Sequence, residues 1–253
     1  MKGELQDRTA LVTGAGSGLG RAIARSAAAA GARVILVGRN AGKLRSVSAG
    51  LPGSRVACCD VSDPADVSAL AAELADETVS LLVNNAGTGG PVAPLHAIEA
   101  AEWDEVFTSN VRSVFLMCKA FLPPMLERGS GDIINIASVT GKRPLIRRTP
   151  YAASKMAVLG LTRTLAFEAG PRGVSVNSLS PGPVRGDRMR RNFALEAQAS
   201  GRTEEEAEHE FVSRSALGRL VEEEEVGRAV VAMTQMAGLC GADIDLSAGM
   251  IAP

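Results

Sequence analysis

The sequence predicts a doubly wound α/β fold, in which one parallel sheet lies between two layers of helices. Short β-branched runs alternate with Ala- and Leu-rich stretches of helical period along all 253 residues. The predicted strands are apolar throughout, as strands buried on both faces are, and such alternation implies right-handed crossovers. Because we find no linker, low-complexity segment or internal repeat, we expect residues 1–253 to form a single domain of three layers.

The first half of the chain alternates regularly between the two kinds of element. Runs rich in Val, Leu and Ala that end near Gly or Asp predict strands at 9–14, 33–38, 54–61 and 79–87. The Ala- and Leu-rich stretches between them predict helices at 18–30, 40–50 and 64–76. We therefore expect three consecutive strand–helix units followed by a fourth strand.

The second half has longer helices. The pattern predicts strands at 132–138, 174–182 and 243–249 and helices at 99–127, 151–169 and 222–237. Residues 183–215 are too long for an ordinary connection. Within them Thr203 precedes three glutamates, which predicts the start of a helix with a solvated face. We expect this segment to cover the substrate with its apolar side chains, Met189, Phe193, Leu195 and Phe211.

The overall charge excludes some classes of partner. A net charge of −1 and a pI of about 6.2 provide no basic field for nucleic acid or for an anionic membrane. The first residues lack the apolar run of a signal peptide, so we expect a cytoplasmic protein. Neither the cysteines nor the histidines show metal-ligand spacing, so we expect no metal. We expect buried, reduced thiols at Cys58, Cys59, Cys118 and Cys240, and surface side chains at His96 and His209.

A glycine-rich loop, TGAGSGLG at 13–20, joins the first predicted strand to the first predicted helix. Gly14, Gly18 and Gly20 lack a Cβ, so the backbone can approach a bound group closely. The N-terminus of the helix presents unpaired N–H groups, which suit a pyrophosphate. This strand–loop–helix context predicts a Rossmann-type dinucleotide site. The alternative is that the glycines serve only a tight turn.

The end of the second strand bears on the choice of dinucleotide. A carboxylate there would bind the ribose hydroxyls and repel a 2′-phosphate, but the sequence has Gly38-Arg39-Asn40. Arg39 can bind a 2′-phosphate, which favours NADP(H), with NAD(H) possible if Arg39 instead stacks on the adenine or points into water. Asp60, after the third strand, either holds the adenine amino group or caps the next helix.

Tyr151 is the only tyrosine, and Lys155 follows it four residues later in YAASK at 151–155. On a helix this spacing puts both side chains on one face. A free phenol has a pKa of about 10, and a nearby ammonium would lower that pKa towards neutrality. The pair is therefore a candidate for general acid–base catalysis, although a surface pair has the same spacing.

Two further polar residues support that interpretation. Ser138 ends a predicted strand, at the edge where this fold binds its ligands, and its hydroxyl can orient a carbonyl. Asn110 interrupts an apolar helical pattern. It either anchors a water that relays protons to Lys155 or is a buried asparagine with its hydrogen bonds satisfied.

The chain resembles the short-chain dehydrogenase/reductase family in its single-domain form, and within it the 3-oxoacyl reductases. The resemblance covers the whole chain. The motifs that carry it, in the family's order, are TGAGSGLG, NNAG (84–87), Asn110, Ser138, YAASK and SPGPV (180–184).

The resemblance implies roles for these residues. Tyr151 would be the general acid and base, and Lys155 would lower its pKa and bind the nicotinamide ribose. Ser138 would orient the carbonyl or alcohol, and Asn110 would anchor the relay water. The residues implied to hold the cofactor are Gly14, Ser17, Gly18, Leu19, Gly20, Arg39, Asp60, Val61, Asn85, Ala86, Gly87, Tyr151, Lys155, Pro181, Gly182 and Val184.

The implied function is reversible hydride transfer between NADP(H) and a ketone or secondary alcohol, with reduction of a 3-oxoacyl or related compound favoured. The alternatives are an NAD-dependent secondary-alcohol or dihydrodiol dehydrogenase and a non-catalytic cofactor-binding sensor or scaffold. The family also implies a homo-oligomer, a tetramer or a dimer, with 99–127 and 151–169 as contact surfaces. The chain departs from the family pattern at Arg185-Gly186, where a threonine is common, and at LSAG (246–249), where VDGG is usual.

A basic loop, residues 142–148, separates Ser138 from Tyr151. Its cations indicate either an anionic substrate or acidic carrier protein, or a solvated loop. In the second case the charges would pair with the glutamates of 204–210 or with a neighbouring subunit. The cations are Lys142, Arg143, Arg147 and Arg148.

Overall fold

Seven parallel strands form one sheet in the computed structural model, which describes residues 3–251 apart from the side chains at 188, 196 and 199. The order β3-β2-β1-β4-β5-β6-β7 reverses direction between β1 and β4, where a doubly wound sheet binds its ligand. The predicted fold class is confirmed. The strands are β1 Thr9–Thr13, β2 Arg33–Gly38, β3 Arg55–Cys58, β4 Val79–Asn84, β5 Gly131–Ile136, β6 Val174–Pro181 and β7 Asp243–Leu246.

Helices cover both faces of the sheet. On β1, Leu11 packs with α3, α5 and α6, whereas Ala10 and Val12 pack with α1, α2 and α9. Each of these three side chains is fully buried, because successive strand residues face opposite layers. The helices are α1 Gly18–Ala29, α2 Ala41–Ser48, α3 Pro64–Glu73, α4 Ala100–Phe107, α5 Ser113–Arg128, α6 Thr149–Ala169, α7 Asp187–Ser200, α8 Glu204–Val212 and α9 Glu223–Thr234.

The predicted helical stretch 99–127 is divided by a turn of π-helix at Thr108–Arg112. Such turns are rare and occur frequently at functional sites, and this one contains Asn110. Pro123 and Pro124 lie inside α5, which continues to Arg128. The helix ends at a left-handed glycine, as helices commonly do.

Residues 183–215 contain two helices, of which only the second was predicted. α8 begins at the capping box of Thr203 and Glu206, which confirms the helix start expected from the sequence. α7 was missed. Its buried side chains form a narrow apolar stripe at Met189, Phe193 and Ala197, in a helix that is otherwise mostly polar. Met189 and Phe193 of this stripe pack with α8.

The expectation for the cysteines is half correct. Cys59 and Cys118 are buried, but Cys58 and Cys240 are exposed. Cys58 ends β3 at the edge of the sheet, and its side chain faces away from that of Cys59. His96 and His209 are exposed, as predicted. Among the described residues, which exclude the side chains at 188, 196 and 199, no helix has the length and apolarity to cross a bilayer, and no group of three or more potential ligands could hold a metal ion.

Candidate active site

A cleft of about 1170 Å³ opens at the carboxyl ends of the central strands. It extends from the phosphate loop between β1 and α1, past the ends of β4 and β5, to α6 and α7. All of the residues that the resemblance assigns to the cofactor line this cleft, and so do Ser138, Tyr151 and Lys155. The structure therefore brings together segments that are far apart in the sequence.

The phosphate loop has room only for glycine at its critical points. Gly14 and Gly18 have φ values of +66° and +51°, which favour glycine. A Cβ on Gly20 would lie 2.2 Å from the carbonyl oxygen of Gly14. Ser17, the N-cap of α1, makes no capping hydrogen bond, and the first turn has no acidic residue. The first N–H groups of α1 can therefore bind an anion, so the loop fits the pyrophosphate of a nicotinamide dinucleotide.

Thr13 joins the phosphate loop to the NNAG segment. Its buried hydroxyl accepts hydrogen bonds from the main-chain N–H groups of Asn85 and Ala86, at 2.9 and 3.0 Å. The side-chain amide of Asn85 donates to the carbonyl oxygen of Thr13 at 2.9 Å. Asn85 therefore lines the cleft while also fixing the β4 loop against β1.

The end of the cleft beside β2 and β3, where the resemblance places the adenosine, is basic. Arg39 has an exposed side chain, with one guanidinium nitrogen 3.9 Å from the carboxylate of Asp60. The other carboxylate oxygen of Asp60 accepts hydrogen bonds from the hydroxyl and N–H of Ser62, and these bonds, aided by Arg39, lower the pKa of Asp60. Lys43 on α2 also lines the cleft and was missed. A second cation four residues after Arg39 was the available signal.

Tyr151 and Lys155 lie on one face of α6, as their spacing predicts. The Lys155 Nζ is 5.8 Å from the centroid of the Tyr151 ring. Lys155 is only 6% exposed, and its Nζ donates a hydrogen bond of 2.8 Å to the carbonyl oxygen of Ile136 at the end of β5. The ammonium is therefore fixed beside the ring of Tyr151.

Ser138 lies beside this pair in the cleft. It follows β5, is 8% exposed, and its Oγ accepts a hydrogen bond from the N–H of Thr140 at 3.2 Å. Because that bond uses a lone pair of Oγ, the hydroxyl proton stays able to donate to a carbonyl oxygen.

Asn110 is behind the cleft and is 1% exposed. Its amide group donates to the hydroxyl of Ser154 and to the carbonyl oxygen of Thr88, both at 3.0 Å, and its Oδ1 accepts from the N–H of Thr88 at 2.7 Å. Of the two alternatives for this side chain, these bonds favour the satisfied buried asparagine. The amide joins the loop after β4 to α6.

The end of the cleft at the phosphate loop contains two charges that were not predicted. Arg21 forms an ion pair of 3.3 Å with Glu223 at the start of α9, and both line the cleft. Arg21 directly follows the last glycine of the loop, which was the available signal.

The four cations of the basic loop have different environments. Burial opposes the charged form of Lys142, but its hydrogen bonds to Asp243 and Asp245 outweigh burial and raise the pKa of Lys142. Arg147 is exposed and donates to the carbonyl oxygen of Val92 at 3.3 Å. Arg143 and Arg148 line the cleft.

Two of the glutamates of 204–210 pair with arginines outside the basic loop. Glu208 pairs with Arg185, and Glu210 pairs with Arg202 and Arg214. Lys142 therefore does not form the pairing with 204–210 that was one alternative for the loop, because it reaches the carboxylates of β7 instead.

The apolar side chains of α7 and α8 are divided between the cleft and solvent. Met189 and Phe211 line the cleft, and Phe193 is buried with its ring centroid 5.7 Å from that of Phe211. Leu195 is 54% exposed.

Comparison with known proteins agrees with this geometry. The family model described as short chain dehydrogenase matches residues 8–197. A protein of Streptomyces violaceoruber, assigned as ketoacyl reductase 1 of the granaticin polyketide synthase, is 42% identical over 87% of this chain and 84% of its own. D-threitol dehydrogenase of Mycolicibacterium smegmatis is 42% identical over 70% of each chain. The structure of a variant of actinorhodin polyketide ketoreductase with NADPH has a TM-score of 0.92 and 32% identity, and covers 99% of both chains.

This chain belongs to the short-chain dehydrogenase family. It is an oxidoreductase of that family, and its single Rossmann-like domain matches the family's solved structures. The resemblance to this family and the enzyme class that it implied are confirmed.

Proposed function

We propose that the protein reduces a ketone to a secondary alcohol with NADPH, and that Tyr151 supplies the proton. The observation that carries the proposal is the Tyr151–Lys155 pair on α6, which lines the same cleft as Ser138 and the phosphate loop. The relative assigned as a ketoacyl reductase and the ketoreductase solved with NADPH both support a carbonyl substrate of the 3-oxoacyl type.

The side chains divide the work of reduction between them. NADPH, when bound, supplies a hydride to the carbonyl carbon. The Ser138 hydroxyl donates to the carbonyl oxygen and holds it near Tyr151, whose phenol transfers its proton to that oxygen. Lys155 stabilises the phenolate that remains. Asn110 holds the loop after β4 against α6, which keeps Lys155 and Tyr151 at the cleft.

We propose NADP(H) over NAD(H) because of the charges at the adenosine end. β2 ends in Gly38, and the next residues that line the cleft are the cations Arg39 and Lys43. A carboxylate that would repel a 2′-phosphate is absent from the end of β2, although Asp60 lies 3.9 Å from Arg39. Arg39 is exposed enough to turn from Asp60 to a phosphate.

We also propose that residues 183–215 form a cover over the substrate within the single domain. α7 and α8 pack on each other through Phe193, Ala207 and Phe211, so they can act as one unit. Met189 and Phe211 supply apolar surface to the cleft.

A homotetramer, or a dimer, is the proposed assembly. α5 and α6 carry large apolar side chains that are exposed on the single chain: Phe115, Met156 and Phe167. Burying such residues in contacts between copies would stabilise the assembly. All four cysteines are free thiols, which supports a cytoplasmic location for the protein.

The decisive experiment is a kinetic comparison of wild type with Tyr151→Phe. Steady-state reduction of a panel of ketones is measured with NADPH and with NADH, and binding of each cofactor is measured by titration calorimetry. We expect a lower KM for NADPH than for NADH. Tyr151→Phe should lower kcat by at least about 100-fold and leave NADPH binding within about two-fold.

Each arm has an outcome that contradicts the proposal. A KM for NADPH no lower than that for NADH would remove the argument from Arg39 and favour an NAD-dependent alcohol dehydrogenase. Tight NADPH binding without turnover of any ketone or alcohol would instead favour a cofactor-binding sensor. Full activity of Tyr151→Phe would exclude the assigned proton donor.

A further inference from the structure

We propose that the substrate carries an anionic group, and that Arg143 and Arg148 bind it at the outer end of the cleft. This inference rests on the proposed function, because it concerns the ketone that the same site reduces. Arg143 and Arg148, near the two ends of the basic loop, would then select the substrate by its charge, and the apolar residues between them would contact the rest of the molecule.

The position of the two arginines is the first argument. Arg143 follows Ser138 by five residues, and Arg148 precedes Tyr151 by three, so each is close in the chain to a residue that contacts the reacting carbonyl. The guanidinium carbon of Arg148 lies 5.6 Å from the centroid of the Tyr151 ring. An anion on Arg148 would therefore be a few atoms from the carbonyl.

The state of the charges is the second argument. Arg143 donates one long hydrogen bond, of 3.4 Å, to the carbonyl oxygen of Met250. None of the ion pairs between side chains that the structure describes involves Arg143. Its half-buried cation is therefore available for an external anion, and a guanidinium suits a carboxylate or a phosphate.

The other two cations of the loop provide the contrast. Lys142 is held by the carboxylates of Asp243 and Asp245, and Arg147 has turned outward, with a φ of +66° and a hydrogen bond to Val92. Of the four cations in the basic loop, one is paired with carboxylates of β7 and one is exposed to solvent. The other two line the cleft.

The acids that line the cleft either pair with cations other than Arg143 or are exposed. Asp187, Glu222 and Glu223 are engaged in ion pairs with Arg190, Arg185 and Arg21, respectively. Glu105 lines the cleft from α4, but its side chain is exposed, so solvent screens it.

The apolar residues between the two arginines indicate what kind of group connects the anion to the ketone. Pro144 and Leu145 line the cleft there. A short hydrocarbon spacer between the ketone and the anion would contact them. A free 3-oxo acid and a 3-oxoacyl thioester with phosphates on its carrier share this chemistry, and the experiment separates the two.

The test compares three probes with one reacting group. Acetoacetate is a free acid, acetoacetyl-CoA carries phosphates, and ethyl acetoacetate is neutral. For wild type, Arg143→Ala and Arg148→Ala, kcat/KM with NADPH is measured for each probe. Arg147→Ala is the matched control, because its charge lies on the same loop but faces solvent.

We expect Arg143→Ala and Arg148→Ala to lower kcat/KM by about 10- to 100-fold for the anionic probe that fits, mainly through KM. In the same two variants, kcat/KM for the ester should change by less than about two-fold. Arg147→Ala should leave kcat/KM unchanged for all three probes. The anionic probe that responds identifies the source of the charge. Equal losses for ester and anion, or no loss with either anion, would overturn the proposal.

Two further measurements distinguish anion binding from an effect of Arg148 on the phenol and from the proposed reduction itself. If Arg148 acts only on the phenol, Arg148→Ala will shift the pH profile of kcat equally for ester and anion, which would contradict a binding role. The thermal unfolding midpoint with NADP⁺ present should rise with either acetoacetate or acetoacetyl-CoA in wild type and Arg147→Ala, but not in Arg143→Ala.

That midpoint does not depend on turnover. An anion-specific rise in an inactive wild type would refute the proposed reduction and support the anion site. No rise with either anion would refute the anion site, whatever the activity.

Discussion

The side-chain amide of Asn135 donates a hydrogen bond of 2.9 Å to the hydroxyl of Thr162, which joins β5 to α6 inside the core. Both side chains are fully buried. Asn135 also accepts from the amide of Asn84 on β4 at 2.8 Å. This chain of polar groups fixes the helix that carries Tyr151 against the two strands that border the cleft.

We therefore expect Thr162→Val to destabilise the protein by about 1–3 kcal/mol, because it leaves the amide of Asn135 buried without that acceptor. Thr162→Ser retains the hydroxyl and should cost less. The measurement is urea unfolding of the three proteins, together with kcat at pH 7. If the valine and serine variants are equally stable, the hydrogen bond does not contribute as the geometry indicates.

A second prediction concerns Lys155, whose buried ammonium is held by the carbonyl oxygen of Ile136. Lys155→Met removes the charge beside the phenol with little change of volume. We expect kcat for ketone reduction to fall by at least about 100-fold. The alkaline decline of the remaining activity should move to higher pH, since the phenol that donates the proton then ionises at a higher pH. The pH profile of kcat measures this. A profile unchanged in shape would mean that Lys155 does not act on the ionisation of Tyr151.

The phosphate loop gives a matched pair of glycine substitutions. Gly20→Ala would place a Cβ 2.2 Å from the carbonyl oxygen of Gly14, so the loop must open and NADPH affinity should fall by at least about 10-fold. Gly160→Ala, in α6, meets nothing within 4 Å and should stabilise the protein by about 0.5–1 kcal/mol. Titration calorimetry with NADPH and urea unfolding test both. Unchanged affinity in Gly20→Ala would argue against close approach of the cofactor at this loop.

The capping box of α9 predicts a pH dependence. Two hydrogen bonds from Arg219, of 2.7 and 2.8 Å, and one from the N–H of Glu222 lower the pKa of Glu225 from 4.5 to about 2. Because the pKa is lower in the folded state, the stabilisation is complete above pH 4.5 and is lost as the pH falls towards 2.

We expect Glu225→Gln to lower the free energy of unfolding by about 1 kcal/mol at pH 7, a modest figure because the pair is partly exposed. The difference from wild type should shrink as the pH is lowered from 5 to 3. Urea midpoints across that range measure it, with Glu224→Gln as the neighbouring control. A difference independent of pH would assign the effect to something other than the ionised carboxylate.

The sheet and the contents of the cleft could be predicted because both depend on local patterns. Apolar runs specify strands, and parallel strands bring their carboxyl ends to one edge, so Ser138 and Asn85 had to lie near the phosphate loop. α7 was missed because its stripe of Met189, Phe193 and Ala197 is narrow and lies among charges. The stripe becomes recognisable only when the position of α8, against which it packs, is known, and the sequence does not give that position.

The partners of the basic loop could not be predicted for a different reason. Lys142 pairs with Asp243, which is distant in the chain and becomes its neighbour only through the packing of β7 against β6. The sequence shows four similar cations in the loop. Only the tertiary structure shows that Asp243 and Asp245 hold Lys142, that Arg147 is exposed, and that Arg143 and Arg148 line the cleft. The same limit applied to Cys58 and Cys59, whose exposure depends on the position of β3 at an edge.

Asp243 has a further consequence for how such a site changes over evolutionary time. Its carboxylate accepts hydrogen bonds from Ser178 and Ser180 on β6 while it holds Lys142. The loop before α6 is thereby tethered to β7, the last strand of the sheet. New substrate preferences can therefore arise from mutations near the C-terminus that leave Tyr151, Lys155 and the cofactor contacts untouched.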